Sequence, residues 1–183
     1  FSNAKTRGII AIKLDEGDFL TTALLTSGDD ELFLVTRQGR GLRFSENSVR
    51  AMGRASRGVM GIRLGNSDEL AGVMAITDGE DMLMVTEYGY GKRTAYDEFN
   101  AHGRGTKGQI AYGTNEKTGE VVTVLSVPED GQIVVITSQG QAIKMDAAGI
   151  STQSRGASGV RVVDIEKPDF VVGVDRSANE DEE

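Results

Sequence analysis

Arginine is concentrated in one stretch of this chain, and its side chain defines the first chemistry to consider. From Arg37 to Arg63 stand seven arginines (Arg37, Arg40, Arg43, Arg50, Arg54, Arg57 and Arg63) against one acid, Glu46, a net of +6. A guanidinium is planar, permanently charged and shaped for bidentate phosphate contact. Such a run suits the grip of a polyanion, with an ordinary solvated surface as the competing reading. Further along, Lys92, Arg93, Arg104 and Lys107 are offset by Glu87, Asp97 and Glu98. Lys144 and Arg155 follow. Arg37, Arg40, Arg43, Arg50, Arg54, Arg57, Lys92, Arg93, Arg104, Lys107, Lys144 and Arg155 are therefore the candidate polyanion-binding residues, with the first cluster expected to contribute most.

Catalytic patterns are weak by comparison. Gly103-Arg104-Gly105-Thr106-Lys107-Gly108 matches GxGxxG literally, but a nucleotide fingerprint must follow a strand and open a helix. Here a β-like run, Gln109 to Tyr112, follows instead. His102 is the only histidine and there is no cysteine, so the usual zinc sets and a nucleophile–base pair are missing. No catalytic, metal or cofactor site is expected. Tyr88 and Tyr90 flank a glycine in a turn and are left outside the candidate set.

The elements that must position these cations are written as a repeat. Leu32 to Phe44 (LFLVTRQGRGLRF), Met82 to Thr94 (MLMVTEYGYGKRT) and Ile133 to Met145 (IVVITSQGQAIKM) align at Thr36, Thr86 and Thr137 and at Gly39, Gly89 and Gly140. A second block recurs as GRASRGVMGI (Gly53 to Ile62), GRGTKGQIAY (Gly103 to Tyr112) and SRGASGVRVV (Ser154 to Val163). It carries Arg54, Arg104 and Arg155 at one position, which suits either phosphate contact or a bond to backbone carbonyls. Thr6 to Ala11 looks like the end of an earlier copy.

Each first block reads as a β-hairpin, its Gly supplying the left-handed turn residue. Leu20 to Leu25, Leu70 to Ile76 and Val121 to Val127 are expected to precede the hairpins as strands, and Val59 to Leu64 to supply a fourth. Four short strands per roughly 50 residues predict an all-β, propeller-like stack of four-stranded blades. About three complete repeats (15–64, 65–114, 115–165) are expected, with 1–14 closing a preceding one. The 24 glycines against two prolines fit a turn-rich chain. A lone blade cannot bury both faces, so neighbours must stack.

The whole chain carries a net charge of −8, but much of it is terminal: Asp169 to Glu183 holds six acids and one base. Residues 175–183 are expected to form an acidic, disordered tail beyond a repeat region at 1–174. No apolar run approaches the roughly 20 residues a membrane span needs. With no signal pattern and no cysteine, the expectation is a cytoplasmic protein without a membrane partner.

Ser48 to Gly53 (SVRAMG), Gly58 to Leu64 (GVMGIRL), Gly89 to Thr94 (GYGKRT) and Thr106 to Gln109 (TKGQ) resemble the C-terminal domain of DNA gyrase A, over essentially the whole chain. The resemblance implies a β-pinwheel, in which propeller-like blades exchange a strand with a neighbour and a basic rim wraps double-stranded DNA. It implies a non-catalytic, monomeric module of a type II topoisomerase. The rest of gyrase A and gyrase B are its implied partners, ATP and Mg being bound elsewhere in the holoenzyme on the bacterial nucleoid. Two departures stand out. The family's Gln-Arg-Arg-Gly-Gly-Lys-Gly box is absent, Gly53 to Gly58 resembling a degenerate copy, and the first blades are expected upstream of Phe1. The acidic end resembles the variable tail that modulates wrapping in some members. The topoisomerase IV counterpart and a propeller acting as a protein–protein scaffold are the alternatives.

Overall fold

The computed structural model describes residues 8–177. It is all-β apart from three single-turn 3-10 segments. Among the described residues, no helix is long and apolar enough to cross a membrane. Three hairpins stand where the repeat places them: β1 (Glu31–Thr36) with β2 (Arg40–Ser45), β4 (Asp81–Thr86) with β5 (Tyr90–Thr94), and β8 (Gln132–Thr137) with β9 (Ala142–Asp146). Gly39, Gly89 and Gly140 close the three turns at φ of 79°, 75° and 82°, a conformation that a Cβ disfavours.

The strands that complete each sheet come from later in the chain. β3 (Leu70–Ala75) pairs back on β1, and β6 (Gln109–Ile110) adds to the free edge of β2, giving the order β3-β1-β2-β6. β7 (Val121–Val127) pairs with β4, and β10 (Val160–Arg161) with β5. β11 (Val171–Arg176) pairs with β8 in a three-stranded sheet. A hairpin is thus finished by strands belonging to the following repeat.

This pairing rule explains two expected strands that do not form. Leu20 to Leu25 and Val59 to Leu64 have no regular structure, and Leu20, Leu25 and Met60 are exposed. By the repeat spacing they occupy the places of β3 and β6, which are held by a hairpin earlier in the sequence. Among the described residues no hairpin precedes β1 and β2, so the earlier hairpin that both segments would complete offers them no ladder. At the other end, Asp175 and Arg176 lie within β11, and Arg176 reaches Glu80 at 3.0 Å. Those two residues are ladder rather than tail, because Val134 and Ile133 offer them partners. The remaining tail beyond Ser177, like Thr6 and Arg7, lies outside the described residues.

Two-residue alternation builds the core between sheets. Phe33 and Val35 of β1 bury against Met82 and Met84 of β4, with Tyr112 and Val121 in the same cluster. Leu83 and Val85, on the opposite face of β4, pack with Ile133 and Val135 of β8. The middle sheet is therefore apolar on both faces. Burial of one such side chain stabilises by about 1.5–3 kcal/mol, and none of it is available to an isolated blade. β3 packs on β7, and β7 on β11. β6 and β10 form the opposite edges of the first two sheets.

Candidate nucleic-acid interface

The outer edge of the first sheet collects three exposed cations. Arg40 opens β2 opposite Ile110 of β6, and Lys107 lies just before β6. The Arg63 amide donates to the Thr106 carbonyl at 2.8 Å, which sets the Arg63 and Lys107 stems on neighbouring strands of chain. Arg40, Arg63 and Lys107 are exposed. Among the described residues none of the three has a side-chain partner. Arg50 is exposed and unpaired as well. It follows the turn whose Ser48 carbonyl accepts a hydrogen bond from Arg104 at 2.9 Å.

The same arrangement occurs one repeat earlier. The Lys13 amide donates to the Ser56 carbonyl at 3.3 Å, so Lys13 stands beside Arg57 as Arg63 stands beside Lys107. Arg57 is ion-paired with Asp15 at 2.8 Å, both largely exposed. A pair in that setting is worth about 1 kcal/mol at most and yields readily to a phosphate. Charge clustering alone does not single out Arg63 and Lys13 as candidates. Their signal is the repeat itself, since they stand 50 residues apart.

Other candidates are committed to structure. Lys92 is fully buried, donating to the carbonyls of Ser154 and Arg155 at 2.7 Å each, with the Tyr112 ring 5.2 Å away. Arg93 is buried, its Nε donating to the Ile150 carbonyl at 2.8 Å and Asp81 lying 3.4 Å away. Arg43 repeats that clasp one blade earlier. It pairs with Glu31 and donates to the Tyr96 carbonyl at 3.0 Å. Arg37 is split between Glu87 at 2.6 Å and Glu120 at 2.7 Å. These four fasten one blade to the next. Donors spent on these bonds favour a fastening role over the phosphate contact expected of Arg37, Arg43, Lys92 and Arg93.

Arg54 and Arg104 follow the carbonyl-binding alternative. Arg54 donates to Ile10 at 3.3 Å and Arg104 to Met60 at 3.2 Å, positions 50 residues apart on both sides of the bond. Lys144 is exposed on the unpaired edge of β9, and Arg155 is half-buried. The structure does not bring either into the cluster around Lys107.

Burial lowers the Lys92 amine to about 8, the nearby Glu98 opposing the shift. Below that pH both folded and unfolded chains hold the proton, so the cost of burying the charge is fully present. Between about 8 and the ordinary 10.5, the unfolded chain retains a proton that the folded one has released. Stability attributable to Lys92 therefore rises with pH through that window. The neutral amine keeps two hydrogens, enough for both carbonyls. Thermal melts of the parent and Lys92→Met should shift apart in the parent's favour from pH 8 to 10.5; a constant difference would refute the buried charge.

Strand-exchanging sheets stacked through two-faced cores, with cations along their outer edge, define a propeller-type repeat domain. The chain belongs to the DNA gyrase C-terminal domain, beta-propeller family, whose model matches residues 1–27, 30–77, 80–128 and 131–178. Each of the last three spans holds one hairpin and the strand that pairs back on it. DNA gyrase A of Treponema pallidum (strain Nichols) is 62% identical over 174 residues, covering 95% of this chain. DNA gyrase A of Escherichia coli (strain K12) is 39% identical over 178 residues, or 97% of the chain. The chain spans only 21% and 20% of those two relatives. A solved DNA gyrase A C-terminal domain superposes with a TM-score of 0.88 at 30% identity, covering 93% of this chain and 58% of that one. The C-terminal domain of DNA topoisomerase IV gives 0.84 at 26%, covering 91% and 52%.

Proposed function

We propose that this domain binds and bends duplex DNA without reading its sequence, serving a gyrase whose strand cutting and ATP hydrolysis take place in other domains. The observation that carries this reading is the juxtaposition of Arg63 and Lys107 across a backbone hydrogen bond, both exposed and unpaired. Arg40 on the same edge and Lys13 with Arg57 one repeat earlier extend it. The gyrase A relatives support the same reading. Within a holoenzyme, the domain's partners are then the rest of gyrase A and gyrase B, in the bacterial cytoplasm.

Phosphate contacts supply affinity and position but no sequence information. Bending a few tens of base pairs costs on the order of several kcal/mol, so contacts must be spread along the duplex. Affinity is expected to grow with duplex length until the cationic edge is covered, then level off. Neutralising about four phosphates makes log affinity fall against log salt with a slope near −3.6. Gel shifts with duplexes of increasing length at rising salt test both expectations. The net charge of −8 favours a protein–protein scaffold instead. Affinity independent of length and salt, or no shift, would support that second reading.

A further inference from the structure

The backbone contact that seats Lys13 beside Arg57 and Arg63 beside Lys107 occurs a third time with different chemistry. The Gly113 amide donates to the Ala157 carbonyl at 3.1 Å, and the residue at the place of Lys107 is Ser158. A Cβ on Gly113 would stand 2.7 Å from the Gly156 carbonyl oxygen and 2.9 Å from the Ser158 hydroxyl. The first two boundaries carry a cation here, whereas the third has no room for any side chain. One repeat further, the same position is Asp164, exposed and paired with Arg161. The series Lys13, Arg63, Gly113, Asp164 passes from positive through nothing to negative.

Neighbouring cations do not restore the charge. Arg155 is half-buried, its amide facing the Glu98 carboxylate at 3.5 Å. Lys117 and Lys167 lie over the Tyr90 and Tyr88 rings at 5.2 and 4.9 Å, in a cleft that also holds Glu116 and Asp169.

Resting on the duplex-binding reading above, we propose that DNA is held at the first two blade boundaries of this chain and leaves it before the third. The contact surface then has an end fixed by the protein. Phosphates meet paired cations at Lys13 with Arg57 and at Arg63 with Lys107. The next equivalent place offers none, and at Asp164 beyond it the acid is balanced by Arg161, so that place adds no net positive charge. The path of the duplex is set by this loss of positive charge along one structural column, although the blades themselves repeat.

The test adds charge where the column loses it. Ser158→Lys with Asp164→Lys, in the full chain, should tighten duplex binding about tenfold at low salt. It should also steepen the salt slope by about 1.8, two further phosphates at about 0.9 each, and lengthen the duplex at which affinity saturates. Asp164→Lys alone, at an exposed position, should give half the slope change and guards against misfolding of the double variant. In parallel, Lys144→Glu on the third sheet should leave affinity within about twofold, while Arg63→Glu loses about tenfold or more. Unchanged slope and saturating length in a folded double variant would overturn the proposal, as would a loss from Lys144→Glu equal to that from Arg63→Glu. If the unmodified chain binds no duplex at any length, the functional reading itself fails.

Discussion

Reversing Arg40, Arg63 and Lys107 together to Glu should reduce duplex affinity by about 100-fold or more at low salt while leaving the melting temperature nearly unchanged. Three solvent-exposed ionic contacts at about 1 kcal/mol each give roughly 3 kcal/mol, or about two decades in affinity. These side chains are exposed and, among the described residues, spend no hydrogen bonds on the protein. Removing them leaves no buried group unsatisfied. Electrophoretic titration with a long duplex, with thermal melts as the folding check, measures both halves. Unaltered affinity in a folded variant would place the DNA path on another surface.

Arg93→Ala is expected to do the reverse. The guanidinium is buried between Asp81 and the Ile150 carbonyl. Breaking a buried pair by removing one partner typically costs about 3–5 kcal/mol, a large part of the roughly 5–15 kcal/mol that holds most domains folded. The melting temperature should fall steeply. Duplex affinity, measured well below the new melt, should stay within a fewfold of the parent because no phosphate contact is removed. A specific loss of DNA binding at unchanged stability would return Arg93 to the interface.

The contrast between these two variants marks what the residues disclosed. Hairpins, their turn glycines and the 50-residue period were legible because they depend on local alternation and on backbone angles that few residues tolerate. Strand partners were not, since nothing in Leu70 to Ile76 says whether it joins the hairpin before it or the one after. Reading it as the opening strand of its own repeat also made Leu20 to Leu25 and Val59 to Leu64 look like strands. For the cations, charge alone could not separate a surface grip from a fastening. One column did carry the distinction: Lys92 stands where Leu42 and Ile143 stand in the other repeats, so its position faces inward. Arg43 and Arg93 had no such mark, because the carbonyls of Tyr96 and Ile150 that hold them lie more than 50 residues away.

Completion of each hairpin by chain from the following repeat also constrains how such a domain can change in size over evolution. Inserting or excising one whole period renews every ladder, since the incoming unit lends its strands backward and borrows from its successor. A fractional insertion breaks that lending, leaving one hairpin short of strands and another strand without a host. Lineages should therefore differ in steps of whole blades, with length variation inside a period confined to turns that bear no ladder.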